Sequence, residues 1–98
     1  MEITKAKNGN ELTIGIKGRL DTTTAPSLED AINAEIDGVT KLTLDFDGLE
    51  YVSSAGLRVL LSTQKTMNKQ GEMILINVCE DVMEVLEITG FSDILTIA

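Results

Sequence analysis

Leu12, Ile14 and Ile16 alternate with Thr13 and Gly15 between Glu11 and Lys17. A period of two sends successive side chains to opposite faces, so this segment predicts a strand with one buried face. Glu2 to Lys7 repeats the pattern more weakly, and Asn8-Gly9-Asn10 joins the two segments. An Asn-Gly pair readily takes the positive φ angles of a tight turn, so a β-hairpin is expected to open the fold. From Ala25 to Ile36 the period changes, with Ala25, Leu28, Ile32 and Ile36 at helical spacing. Thr24 is placed to cap this first helix, and Pro26 is tolerated in a first turn, where its missing N–H is not needed. Asp37-Gly38 ends it, and Lys41 to Phe46 returns to alternation with Leu42, Leu44 and Phe46 on one face. After the turn Asp47-Gly48-Leu49, a second helix is expected to open near Ser53-Ser54, carry Leu57, Leu60, Leu61 and Met67 inward, and stop at Gln70-Gly71. Met73 to Ile76 is apolar on both parities, which predicts a strand covered on both faces in the middle of a sheet. Glu80 to Thr89 predicts a third helix with Val82, Met83 and Leu86 inward, closed by Gly90 with Phe91 packing back on its last turn. Ile94 to Ile97 predicts a short terminal strand.

The predicted order is ββαβαβαβ. An opening hairpin followed by alternating helices and strands places the chain in the α/β class. It implies a mixed sheet, parallel where right-handed crossovers connect it, with helices packed against it. No repeat, low-complexity tract or linker interrupts the pattern, so residues 1–98 read as one domain.

Composition narrows the function. A hydrophobic share of 43% with 24% charged residues suits an ordinary soluble core. Sixteen acids against eight bases give a net charge of −8, which repels the phosphate backbone of nucleic acids and an anionic membrane surface alike. The longest apolar stretches, such as Met73 to Ile76, fall far short of the ~20 residues that span a bilayer. Neither a nucleic-acid nor a membrane partner is expected. The acidic surface and the lack of long exposed apolar runs predict a monomer in isolation. With no histidine in the chain, Ser-His-Asp and Cys-His relays and imidazole-bound zinc are excluded. The glycines form neither a P-loop nor a Gly-x-Gly-x-x-Gly fingerprint, and no cofactor or metal is expected. Cys79, the single cysteine, cannot form an internal disulfide, and MEITKAKNGN lacks the apolar core of a signal peptide. Both features predict the cytoplasm, with Cys79 read as a packing or boundary residue.

The segment Asp45 to Leu61 carries the candidate chemistry. A strand end followed by Ser53-Ser54-Ala55-Gly56 and an apolar helix puts hydroxyls at a helix N-terminus, where orphan amides and the positive dipole end favour an anion. Simple capping by one of the serines is the competing account. Val52-Ser53-Ser54-Ala55-Gly56 is not a nucleophile elbow, since its first glycine is absent and no histidine can serve as base. Asp45 and Asp47 near a strand end suggest a magnesium-dependent aspartyl phosphoacceptor. However, Asp45 alternates outward from Leu44 and Phe46, and an opening hairpin does not suit a purely parallel receiver sheet.

Tyr51-Val52-Ser53-Ser54-Ala55-Gly56-Leu57-Arg58-Val59-Leu60-Leu61 resembles the signature of the STAS-domain family, and specifically of the bacterial anti-sigma factor antagonists. That signature runs apolar residue, Asp, Ser, Ser or Thr, Gly, Leu, and Ser54 matches its phosphoacceptor. Gly18-Arg19-Leu20-Asp21-Thr22-Thr23-Thr24-Ala25 is similar to the family's first motif, with Asp21 matching the acidic residue beside the phosphoacceptor. Ile88-Thr89-Gly90-Phe91 looks like the helix terminus near the end of these domains. Two positions depart from the pattern: Ser53 stands where Asp is frequent, and Ala55 where Ser or Thr is. Ser53 is therefore the alternative acceptor.

The resemblance implies a regulatory protein rather than an enzyme. It would bind an anti-sigma factor that is also a serine kinase, be released when that kinase phosphorylates it, and be restored by a metal-dependent serine phosphatase. Asp21, Thr22, Thr23, Ser53, Ser54 and Arg58 are the implied partner-binding residues. An adaptor or scaffold module without phosphorylation is the alternative, because STAS domains also occur in transporters and sensing assemblies.

Overall fold

Strands β1 (Glu2–Asn8) and β2 (Glu11–Leu20) form the expected antiparallel hairpin, paired from Glu2 against Lys17 to Asn8 against Glu11, in a computed structural model describing residues 1–98. There follow α1 (Ala25–Asn33), β3 (Lys41–Asp45), β4 (Leu49–Val52), α2 (Ser54–Gln70), β5 (Glu72–Ile76), α3 (Glu80–Ile88) and a 3-10 turn at Phe91–Asp93. The sheet order is β1-β2-β3-β5, with β3 parallel to both β2 and β5, and β4 parallel to the far end of β2. The α/β class and the mixed sheet opened by a hairpin are as the sequence predicts.

Alternation in the strands becomes burial. Leu12, Ile14 and Ile16 of β2, Leu42 and Leu44 of β3, and Met73 and Leu75 of β5 are all buried in one continuous core. The helices add Leu28 and Ile32 from α1, Leu57, Leu60 and Met67 from α2, and Val82 and Leu86 from α3. On the opposite parity, Thr13, Gly15, Thr43, Ile74 and Ile76 are exposed or half-buried.

Four expectations need correction. Leu49–Val52 is a strand that the sequence reading took as the approach to the second helix. Its burial runs buried, exposed, exposed, buried, so four residues display no period of two. Strand β5 pairs with β3 alone and lies at the end of the ladder rather than in the middle. Its apolar parity on the far face is only half-buried, and its free edge is closed by the chain end: Leu75 N donates to Thr96 O at 2.9 Å and Ala98 N to Leu75 O at 2.9 Å. The terminal strand expected at Ile94 to Ile97 is thus a single bridge between Leu75 and Ile97, because the 3-10 turn and the exposed Ile94 leave too few residues to extend a ladder. Helix α1 ends at Asn33, before the expected Ile36. Gln70 Nε2, at the end of α2, donates to Ile36 O at 2.9 Å and Val39 O at 2.7 Å, so these carbonyls are satisfied outside a helix while Ile36 and Val39 stay in the core.

Strand β2 serves two partners along one edge. Glu11 to Gly15 pair with β3, Gly18 to Leu20 pair with β4, and the register shifts between Gly18 and Arg19. The handover is made by two glycines in the left-handed region, Gly18 at φ 97° and Gly48 at φ 88°, with Gly18 N donating to Gly48 O at 2.9 Å. Side chains rarely tolerate that region, which explains glycine at both positions.

Helix α2 then comes down onto the paired ends of β2 and β4. A Cβ at Gly56 would lie 2.7 Å from Leu20 Cγ and 2.9 Å from Val52 Cγ2, closer than packed carbons sit. Gly56→Ala should therefore destabilise the domain by about 1–2 kcal/mol despite alanine's better helix propensity, because overpacking a tight contact outweighs that gain. Urea unfolding would show this as a lower midpoint at unchanged m; an equal or higher midpoint would mean that the helix approaches the strands less closely.

Candidate functional site

The end of β2 turns into α1 through a compact hydrogen-bonded loop centred on Asp21. Its Oδ1 accepts from Thr23 N at 3.0 Å, Thr24 N at 3.1 Å and Thr23 Oγ1 at 2.7 Å. In return Asp21 N donates to Thr24 Oγ1 at 2.8 Å, and the Asp21 carbonyl accepts from Ala25 N at 2.8 Å. This is a reciprocal capping box with Asp21 as the cap and Thr24 three residues on. Thr24 stands at the N-cap position as expected, but its backbone is already right-handed helical and its side chain makes no cap bond, so the hydroxyl capping expected of it is supplied by the Asp21 carboxylate instead. A carboxylate accepts two amides at once, which a threonine hydroxyl does less well.

Ser53 opens α2 in the same way. Its backbone is extended, with φ −95° and ψ 174°, and its Oγ accepts from Gly56 N at 3.3 Å while its carbonyl accepts from Leu57 N at 2.9 Å. Ser53 N donates to Leu20 O at 2.8 Å, which ties the start of α2 to the residue just before Asp21. Ser54 is the first residue of the helix; it is exposed, and its hydroxyl makes no hydrogen bond within the chain. The two serines thus divide the roles that the sequence left open: one hydroxyl is occupied as a cap, and the next is free.

Thr22, Thr23 and Arg58 are exposed, and Asp21 and Ser53 are partly so. Thr22 and Arg58 both line an open-sided groove of about 420 Å³ between α1 and α2, which also takes in Pro26, Glu29, Val59 and Ser62. On the strand side, Arg19 lies over the ring of Tyr51 with 4.2 Å from guanidinium carbon to centroid; the two are register partners across β2 and β4. Tyr51 is 39% exposed, unusual for so large an apolar surface.

Sequence reasoning missed Arg19, Tyr51, Glu29 and the groove. Tyr51, the only tyrosine, stands directly before the serine motif and was the one legible signal; the register that stacks Arg19 on it is not local. Asp45 makes a structural turn: its Oδ1 accepts from Asp47 N at 3.0 Å and Asn77 Nδ2 at 2.9 Å, with Asn77 at φ 57°. No three metal-ligating side chains cluster anywhere in the chain. Cys79 sits at the boundary before α3, exposed, with Sγ 3.4 Å from Leu49 O.

A capped loop, an unbonded serine hydroxyl at a helix start and a flanking groove thus lie next to one another. The sequence profile of the STAS domain matches residues 2–98, and the chain belongs to that family. In that family the domain is a non-enzymatic regulatory binding module. The chain is 37% identical over 100 residues to the putative anti-sigma factor antagonist BtrV of Bordetella bronchiseptica, covering all of this chain and 86% of that one. Its fold is shared with the anti-sigma factor antagonist SpoIIAA in its unphosphorylated form, with a TM-score of 0.85 and 21% identity over 99% of this chain and 88% of that one. The phosphorylated form of the Bacillus cell fate determinant SpoIIAA superposes with a TM-score of 0.77 at 20% identity, over 99% and 91% of the two chains.

The Asp21 cap has a pH signature. Hydrogen bonding from the Thr23 hydroxyl, reinforced by the Thr24 and Thr23 amides and opposed by desolvation, holds its carboxyl below the ordinary value of 3.8. A depressed folded-state pKa contributes stability that is complete above the unfolded value and is lost as pH falls through the folded one. An NMR titration should therefore show Asp21 protonating below the ordinary aspartate value of 3.8, with the Thr23 and Thr24 amide resonances moving at the same midpoint. An Asp21 midpoint at or above that value would mean that the capping box does not hold in solution.

Proposed function

We propose that this chain is an anti-sigma factor antagonist that acts in the cytoplasm, where its unmodified form binds an anti-sigma factor with serine kinase activity. Phosphorylation of Ser54 by that kinase ends the complex, and a metal-dependent serine phosphatase restores the binding form. The observation that carries this reading is the division of labour at the start of α2: Ser53 is occupied as the cap, while the Ser54 hydroxyl is exposed and unbonded one residue later. The 37% identity to a putative anti-sigma factor antagonist over the full chain supports the regulatory role. A solved phosphorylated form on the same fold supports a switch by modification.

The physical effect of the phosphate is local. It adds about −1.5 to −2 charge at pH 7 to a chain that already carries a net charge of −8. Orphan amides of the first helical turn stabilise that charge, so the helix stays folded while the docking face gains a bulky, strongly hydrated dianion. Placing such a charge in an interface opposes binding through desolvation and repulsion from acidic groups. No helix is long and apolar enough to cross a membrane.

Purified anti-sigma factor serine kinases of the source genome, incubated with the chain and ATP, should add a single phosphate detectable by intact mass. Ser54→Ala should abolish the addition, and Ser53→Ala should retain it at reduced helix stability. Ser54→Asp should bind the same kinase at least tenfold more weakly than Ser54→Ala. Full phosphorylation of Ser54→Ala, or equal affinities of the two Ser54 variants, would sink the switch.

A further inference from the structure

The groove between α1 and α2 adjoins Ser54 without including it, and carries one charge of each sign. Its floor is apolar, with Ala25 3% and Val59 7% exposed, and Arg58 and Glu29 line it from facing helices. The two do not pair: the one ion pair in the molecule joins Lys7 and Glu35. With sixteen acids in the chain, an arginine at the lip of an apolar groove yet without an internal carboxylate partner is available to an external one. Arg58 also follows Ser54 by four residues on α2, which places both side chains on one helix face with Cβ atoms about 6 Å apart.

We propose that the groove receives an apolar side chain of the anti-sigma partner with an adjacent carboxylate held by Arg58, and that phosphate on Ser54 breaks the complex by capturing Arg58 for itself. This rests on the functional reading above and deepens it. Repulsion by a new dianion weakens any acidic partner. Capture of Arg58 in addition removes the one cation the partner uses, so a single modification both adds a charge and withdraws its counterpart. The orientation along the helix suits this: an anion one turn N-terminal to a cation is the more favourable order for an i to i+4 pair, and the phosphate sits at the positive end of the helix dipole.

Two measurements separate this from the functional reading itself. The first needs no partner: the chain is prepared with phosphoserine genetically encoded at position 54, and the phosphate is titrated by 31P NMR. The second pKa of the phosphate should rise by about 0.3 unit or more in Arg58→Gln, as expected when an i to i+4 ion pair is removed. An unchanged value overturns the capture. The second measurement takes the unphosphorylated chain against the purified anti-sigma factor kinase: Arg58→Gln should weaken binding about tenfold, Arg58→Lys less, and Ser62→Trp, which fills the groove from an exposed position, by a similar factor with an unchanged unfolding midpoint. Affinities equal to wild type for Arg58→Gln and Ser62→Trp overturn the groove as the docking slot. If wild type binds no such kinase, the functional reading fails instead, and the phosphate titration still decides whether Ser54 and Arg58 are coupled.

Discussion

Strand β2 is long enough to pair twice on one edge, and the placement of the functional surface follows from that fact. Its first half holds β3 and its second half β4, with the register shift at Gly18 and Arg19 absorbing the handover. The strand ends Leu20 and Val52 thereby lie side by side, and Ser53 N closes the arrangement on Leu20 O. Two helices start from adjacent points as a result: the Asp21 loop leads into α1, and Ser53 opens α2. Without the second pairing, the Asp21 and Ser54 motifs would be separate features of two loops. Gly56 completes the constraint, since any side chain there would push the helix off Leu20 and Val52.

Both helix starts at this surface are capped from within, which leaves little there to rearrange. Asp21 spends its carboxylate on the Thr23 hydroxyl and the Thr23 and Thr24 amides, and Ser53 spends its hydroxyl on Gly56 N. The groups that remain uncommitted are the Ser54 hydroxyl, the Arg58 guanidinium and the exposed face of Tyr51, steadied by Arg19. A rigid frame with a few free polar groups is what a binding surface controlled by charge requires, because a new anion then changes the interaction without changing the fold.

Much of this was legible in the chain itself. The alternation of Leu12, Ile14 and Ile16 and of Leu42 and Leu44 marks strands, and the helical spacing of Leu28 and Ile32 marks α1, because burial on one face imposes those periods directly. The serine motif marks a helix start, which falls at Ser54. Thr24 holds the N-cap position of α1 as its sequence suggests, but the capping bonds come from Asp21, because both are good capping residues and only the folded backbone shows which side chain reaches the free amides. Strand β4 escaped because its four residues are buried at the ends and exposed in the middle. Strand β5 was placed in the sheet centre because Ile74 and Ile76 suggested a second covered face that no helix provides.

By itself the sequence determined the three helices, strands β1, β2, β3 and β5, the α/β class and the serine pair at the start of a helix, since each depends on residues within a few positions of one another. Tertiary structure alone decided that β2 divides its edge between β3 and β4, that Arg19 stacks on Tyr51, that α1 and α2 leave a groove between Glu29 and Arg58, and that Ser53 is engaged while Ser54 is free. The reason is that parallel strands and facing helices meet only through crossovers of a dozen or more residues. Their register and spacing are set by how separate surfaces pack, and no local period records that.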